Sequence, residues 1–156
     1  MVMSEKPVFF AFEADFVESL RCIPMQVRFK LDTCGIKLKL DQWHRFDAQE
    51  RYSLAQWPCS TEAEIQTYRT YLQQLVLQHT QTPAKDLAVD PEPPWHQPGA
   101  VPVQTQEQAQ ALGITIPVDK WANLTPLQRF ALYKLSRPGH ENRNFLPALQ
   151  EFKLAE

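Results

Sequence analysis

Cys22, Cys34 and Cys59 are the residues of this chain with the most chemistry to offer. Three thiolates are a metal or iron–sulfur ligand set in need of a fourth member. Their spacing, C-x11-C followed by a longer gap, matches no compact zinc or cluster motif, and no fourth ligand stands out. Packing accounts for Cys34 more cheaply. Cys22, next to Arg21, is the one thiol whose surroundings would lower its pKa. His44, His79, His96 and His140 fall in no metal-binding spacing. Among Glu13, Asp15 and Glu18 an acid pair for proton transfer is on offer, but the three also read as the acidic first turn of a helix. No Ser/His/Asp set is localised, and the chain, with four glycines, has no glycine-rich phosphate loop. The pattern does not support an enzyme.

A second group is defined by charge. Arg21, Arg28, Lys30, Lys37, Lys39 and Arg45 crowd residues 21–45, offset there only by Asp32 and Asp41. The segment is locally basic in a chain of net charge −2. Such a run reads either as a solvated face or as a site for an anionic surface, an acidic protein or a phosphorylated cofactor.

The rest of the composition narrows the class. At 156 residues the chain is expected to form one domain around a single core. Hydrophobic content of 44% and charged content of 22% are globular values. The net charge gives no support to nucleic-acid binding. The N-terminal stretch is too brief and too acidic for a secretory signal, and no run is apolar and long enough to span a bilayer. An odd cysteine count without an export signal reads as reduced thiols, so a soluble, cytoplasmic protein is expected.

The elements that must position these groups read mainly as helices. Phe12, Phe16 and Leu20 recur at helical spacing, predicting a short helix over Glu13–Leu20. Residues 23–40 are ambiguous: Ile23, Met25, Val27, Phe29 and Leu31 alternate as in a hairpin strand, yet Pro24, Val27, Leu31, Cys34 and Gly35 also fit a helix with its start and stop. Asp47 with Glu50, and Thr61 with Glu64, are capping boxes. The second opens a helix carrying Ile65, Tyr68, Leu72, Leu75, Val76 and His79 on one stripe. A proline-crowded stretch from Pro83 to Pro102 predicts an extended crossover, pinned to the core by Trp95. Helices are then expected over Thr105–Leu112, from Thr125-Pro126 with Leu127, Phe130, Ala131 and Leu135 inward, and through Leu146, Leu149 and Phe152.

The two halves match when Pro24 is laid on Pro102. Without a gap, Gln26 meets Gln104, Gly35 meets Gly113, Asp41 meets Asp119, Trp43 meets Trp121, Arg51 meets Arg129, and Leu54 meets Leu132. The capping boxes Asp47/Glu50 and Thr125/Gln128 coincide as well. We read this as an internal duplication. It resolves the ambiguous segment as helix, because its counterpart TQEQAQALG has little strand character. The expected fold is all-α: a single domain of two duplicated, pseudo-twofold-related helical units, about 12–80 and 103–156, joined by a Pro-rich crossover of about 81–102. Residues shared by both halves are then scaffold. Arg21, Arg28, Lys30, Lys37, Lys39 and Arg45 face Gly99, Gln106, Gln108, Thr115, Pro117 and Asn123, so none has a basic counterpart.

The run Phe12-Glu13, Asp15-Phe16, Leu20-Arg21-Cys22-Ile23-Pro24-Met25, Val27-Arg28, Lys30-Leu31-Asp32 and Gly35-Ile36-Lys37-Leu38, followed by Trp43 and the Arg51 helix, resembles the nitrate reductase associated protein family of cyanobacteria and some other bacteria. The likeness is most specific over residues 12–59. It implies a non-enzymatic accessory or maturation protein needed for active assimilatory nitrate reductase, with the reductase as partner and a transient contact with its molybdopterin cofactor. No catalytic residues carry over from the family. The basic residues named above are the expected docking face; a redox or iron–sulfur subunit built on the three cysteines is the alternative.

Overall fold

The computed structural model describes residues 9–13, 20–137 and 143–156. Eight α-helices are found among them, with one two-stranded sheet. The expected helix over Glu13–Leu20 falls largely outside the described residues, as do Asp15, Phe16, Glu18 and His140. At its described ends, Glu13 closes a 3₁₀ turn and Leu20 takes a positive φ of 54°.

The chain divides into two compact units, one over residues 13–89 and the other over residues 90–156 with 10–12. In the first, α1 (Met25–Cys34) is followed by β1 (Ile36–Lys37), α2 (Leu40–His44), α3 (Ala48–Gln56), α4 (Glu62–Thr80) and β2 (Lys85–Asp86). The hairpin reading of residues 23–40 is thereby excluded. Pro24 stands at the N-cap of α1, and Gly35 ends the helix with a φ of 75°, the left-handed conformation that glycine adopts without a Cβ penalty. A Cβ there would lie 2.9 Å from the Val89 side chain and 3.0 Å from the Leu87 carbonyl.

The described residues are mostly helical, as expected, but the fold is not purely α, because it includes one small two-stranded sheet. β1 pairs antiparallel with β2, Ile36 opposite Asp86 and Lys37 opposite Lys85, and β2 lies inside the stretch expected to be a plain crossover. The ladder is too short to leave an alternation in the sequence. Around it the core is continuous: Val27, Ile36, Trp43, Leu54, Tyr68, Leu72 and Val76 are fully buried. The Tyr68 hydroxyl donates to the Leu54 carbonyl at 2.7 Å, which meets the requirement that a buried phenol be paired.

Both capping boxes of this unit form. Glu50 N–H donates to Asp47 Oδ1 and Asp47 N–H to Glu50 Oε1; Thr61 and Glu64 repeat the exchange. The expected stripe of α4 is the buried one at Tyr68, Leu72, Leu75 and Val76.

The second unit contains a 3₁₀ turn at Pro94–His96, then α5 (Val103–Ala111), α6 (Val118–Asn123), α7 (Pro126–Leu135) and α8 (Phe145–Glu151). Trp95 is buried, edge-on to Phe130 at 4.9 Å between ring centroids, as expected of an anchored tryptophan. Gly113 follows α5 with a φ of 77°. Thr125 and Gln128 form the capping box of α7, which buries Phe130, Ala131, Leu132 and Leu135.

Candidate functional site

The basic residues of the first unit divide into scaffold and surface. Lys30 is scaffold. It is 4% exposed, and its ammonium donates to the carbonyls of Ala55 at 2.8 Å and Trp57 at 2.5 Å, neutralising the C-terminal end of α3. It therefore does not belong to an exposed docking face, contrary to its sequence reading. The stem of α1 turns that side chain inward because positions 27, 30, 31 and 34 share one helical face. Arg28 is half-buried and donates Nε to the Ile23 carbonyl at 3.1 Å.

Arg21, Lys37, Lys39 and Arg45 are exposed. Arg45 donates to the His79 carbonyl at the end of α4 at 3.2 Å. The loop carrying Arg21 is held from below: Trp43 donates its indole N–H to the Leu20 carbonyl at 2.7 Å, and His44 Nε2 lies 2.7 Å from the Arg21 carbonyl. Lys37 projects outward because its neighbour Ile36 is fully buried and strand side chains alternate. The ladder adds a residue that sequence reasoning missed. Lys85, exposed, stands directly across from Lys37; a two-residue strand within a proline-rich stretch gave no signal to find it.

Arg69 of α4 closes the ladder from the other side. Its Nη1 donates to the carbonyls of Cys34 at 2.9 Å and Gly35 at 3.0 Å, and its Nη2 pairs with the Asp86 carboxylate. Leu87 N–H donates to the same Gly35 carbonyl at 2.8 Å. One arginine thus satisfies the free carbonyls at the end of α1 and fixes the strand that bears Lys85.

The cysteines are not presented as a ligand set. Cys34 and Cys59 are buried, and Cys22 is half-buried. Burial pushes the Cys34 thiol up to about 11, against the smaller opposing pull of Arg69, so at neutral pH it is a protonated packing group. Cys59 lies with Sγ 3.9 Å from the Lys30 carbonyl oxygen. Among the described residues, no three His, Cys, Asp or Glu side chains are grouped so as to hold a metal ion.

Glu13 has a structural use. It is 1% exposed, and its Oε2 accepts the backbone N–H of Met25 at 2.8 Å. Proline at the N-cap of α1 has no side-chain acceptor, so a carboxylate from twelve residues upstream supplies one at the positive end of the helix. Of the histidines, His79 Nε2 lies 2.9 Å from Glu50 Oε1. His96 is held below its usual value, first by burial and then by the Arg129 charge.

In the first unit Arg51 donates to the carbonyls of Trp43 at 3.2 Å and His44 at 3.0 Å. In the second, Arg129 donates to those of Leu124 at 2.6 Å, Ala122 at 3.3 Å and Trp95 at 2.7 Å, and Trp121 donates its indole N–H to the Gln97 carbonyl at 3.1 Å. These residues, shared by both halves of the sequence, hold backbone. No exposed lysine or arginine of the second unit occupies a position matching Lys37 or Lys39, where Thr115 and Pro117 stand.

No helix among the described residues is long and apolar enough to cross a membrane. The family model described as conserved nitrate reductase-associated protein matches residues 9–152. No curated protein matches the chain, and no solved structure does.

Proposed function

The chain belongs to the conserved nitrate reductase-associated protein family, and from that footing we propose that it serves as a non-enzymatic accessory or maturation factor for assimilatory nitrate reductase. It docks the reductase, or the phosphate-bearing molybdopterin cofactor of that enzyme, on the basic surface of its first unit. The observation that carries this reading is the exposure of Arg21, Lys37, Lys39, Arg45 and Lys85 on a unit whose more buried cations, Arg28, Lys30, Arg51 and Arg69, donate to backbone carbonyls. Solvent-facing cations in an otherwise acidic protein favour an anionic partner and speed its encounter. The test is affinity capture from cells grown on nitrate. Reductase should co-purify with the wild-type protein, and a folded Lys37→Glu/Lys39→Glu/Arg45→Glu variant should lose it and fail to support growth on nitrate. Undiminished growth of that variant would sink the proposal.

We also read the two units as copies of one ancestral unit. Support comes from the N-cap prolines Pro24 and Pro102, the positive-φ glycines Gly35 and Gly113, and the capping boxes at Asp47 and Thr125. The paired Trp–Arg backbone clamps point the same way. If the copies are equivalent, the first unit's capping box should work in the second. Thr125→Asp/Gln128→Glu should then change stability by no more than about 0.5 kcal/mol; a substantially larger loss in urea melts counts against equivalence.

A further inference from the structure

We infer that the outward face of the β1–β2 ladder binds an extended acidic segment of a partner protein, with its carboxylates held by Lys37, Lys85 and Lys39. This rests on the reading of the first unit as a docking surface for an anionic partner, and it names the chemistry of that partner. The central observation is the register: Lys37 and Lys85 are directly opposed across the ladder. Opposed residues of an antiparallel pair point to the same face with Cβ atoms about 4.5–5.5 Å apart, and like charges so placed repel. Sheet formation by itself therefore disfavours this pair.

No neighbour relieves the repulsion. Among the described residues none of the three ammonium groups has an ion-pair or hydrogen-bond partner. The carboxylate of the ladder, Asp86, stands opposite Ile36 rather than Lys37 and is engaged by Arg69. Lys39 continues the array: it is exposed and its backbone is extended, with φ −87° and ψ 152°. Two residues along an extended chain span about 6.6–6.8 Å, so Lys37 and Lys39 are spaced as alternate side chains of a strand.

The spacing selects the ligand. A compact phosphate needs donors that converge on one point, typically a backbone nest or an arginine fork. Here the donors are flexible point charges, Lys37 and Lys39 along one strand and Lys85 across the ladder from Lys37. An extended polypeptide with acidic residues at every second position presents carboxylates at the same repeat of about 6.6–6.8 Å; laid along Lys37 and Lys39 it meets each in turn, with Lys85 a second donor beside Lys37.

Binding of a fluorescent peptide of alternating glutamate and serine, followed by anisotropy, tests this directly. The wild-type protein should bind it, with affinity falling as salt is raised. Lys37→Glu/Lys85→Glu should weaken binding at least tenfold, and Lys37→Gln/Lys85→Gln, which only removes charge, by a lesser factor. Lys120→Glu/Lys153→Glu, the same change of net charge in the second unit, should stay within about twofold of wild type. Equal binding of a glutamine–serine peptide would overturn the inference. So would equal losses in both charge-reversed pairs, or full displacement by inorganic phosphate at matched charge concentration. Reductase co-purifying undiminished with Lys37→Glu/Lys85→Glu would remove the ladder's role and leave the accessory function standing. Reductase that never co-purifies with the wild type would remove that function, while the peptide titration still decides the ladder.

Discussion

The Glu13 carboxylate accepts the backbone N–H of Met25 at 2.8 Å while itself 1% exposed, so the first helix is capped by a residue from outside it. Glu13→Ala should lower stability by about 1–3 kcal/mol, the cost of a charge-assisted bond lost and a buried N–H left unpaired. Glu13→Gln, which keeps an acceptor oxygen, should lose less. Urea melts read both as shifts in midpoint at unchanged slope. If Glu13→Ala melted with the wild type, the cap would have no energetic weight.

Lys30 and Lys37 lie seven positions apart in the same basic run, and charge reversal should separate them. Lys30→Glu buries a carboxylate against the carbonyl oxygens of Ala55 and Trp57 and should cost about 3–5 kcal/mol or prevent folding. Lys37→Glu, exposed and facing Lys85, should stay within about 0.5 kcal/mol of wild type. Circular dichroism and thermal melts of the two single variants decide it. Similar melting temperatures would contradict the burial of Lys30.

Alkaline pH should destabilise the protein through Cys34. Its folded pKa of about 11 exceeds the ordinary value of 9.0, so between these values the unfolded chain has shed the thiol proton and the folded one retains it. Stability is then full below about pH 9 and falls as pH rises towards 11, by up to about 1.4 kcal/mol per unit for this group. Tyr68, raised by burial well above 10.0, acts in the same direction. Denaturation midpoints measured across pH 8–11 should decline in the wild type and decline less steeply in Cys34→Ala. Parallel slopes would assign the decline elsewhere.

The two positive-φ glycines should respond unequally to alanine. At Gly113, with a φ of 77° and open space around the added Cβ, the cost is the left-handed conformation alone, about 1 kcal/mol. At Gly35 the same strain adds to a contact of 2.9 Å with Val89 and 3.0 Å with the Leu87 carbonyl, so the loss should reach about 2–4 kcal/mol. Paired equilibrium melts give the difference; equal losses would mean that the 87–89 segment moves aside freely.

Much of the helical scaffold was legible because its signals are local. Asp47/Glu50, Thr61/Glu64 and Thr125/Gln128 each announce a helix within four residues, and Gly35 and Gly113 end one. The helical reading of residues 24–34 needed a longer comparison, since Val27, Phe29 and Leu31 suit either period. What stayed hidden depends on partners far along the chain. Nothing near Lys30 indicates that Ala55 and Trp57 will receive its ammonium, and nothing near Lys37 anticipates Lys85. Charge in a sequence marks candidates; burial, set by tertiary packing, sorts them.

The ladder also has a kinetic consequence. It joins residues about fifty positions apart, whereas the helices it brackets close through neighbours, and an entropic closure of that length comes late in folding. Leu87 and Arg69 share the Gly35 carbonyl as acceptor, and Arg69 also holds that of Cys34. A fluctuation that peels β2 away loosens the end of the first helix in the same event. Thiol labelling of Cys34 and hydrogen exchange at the Leu87 amide should therefore report one opening, with one free energy, rather than two.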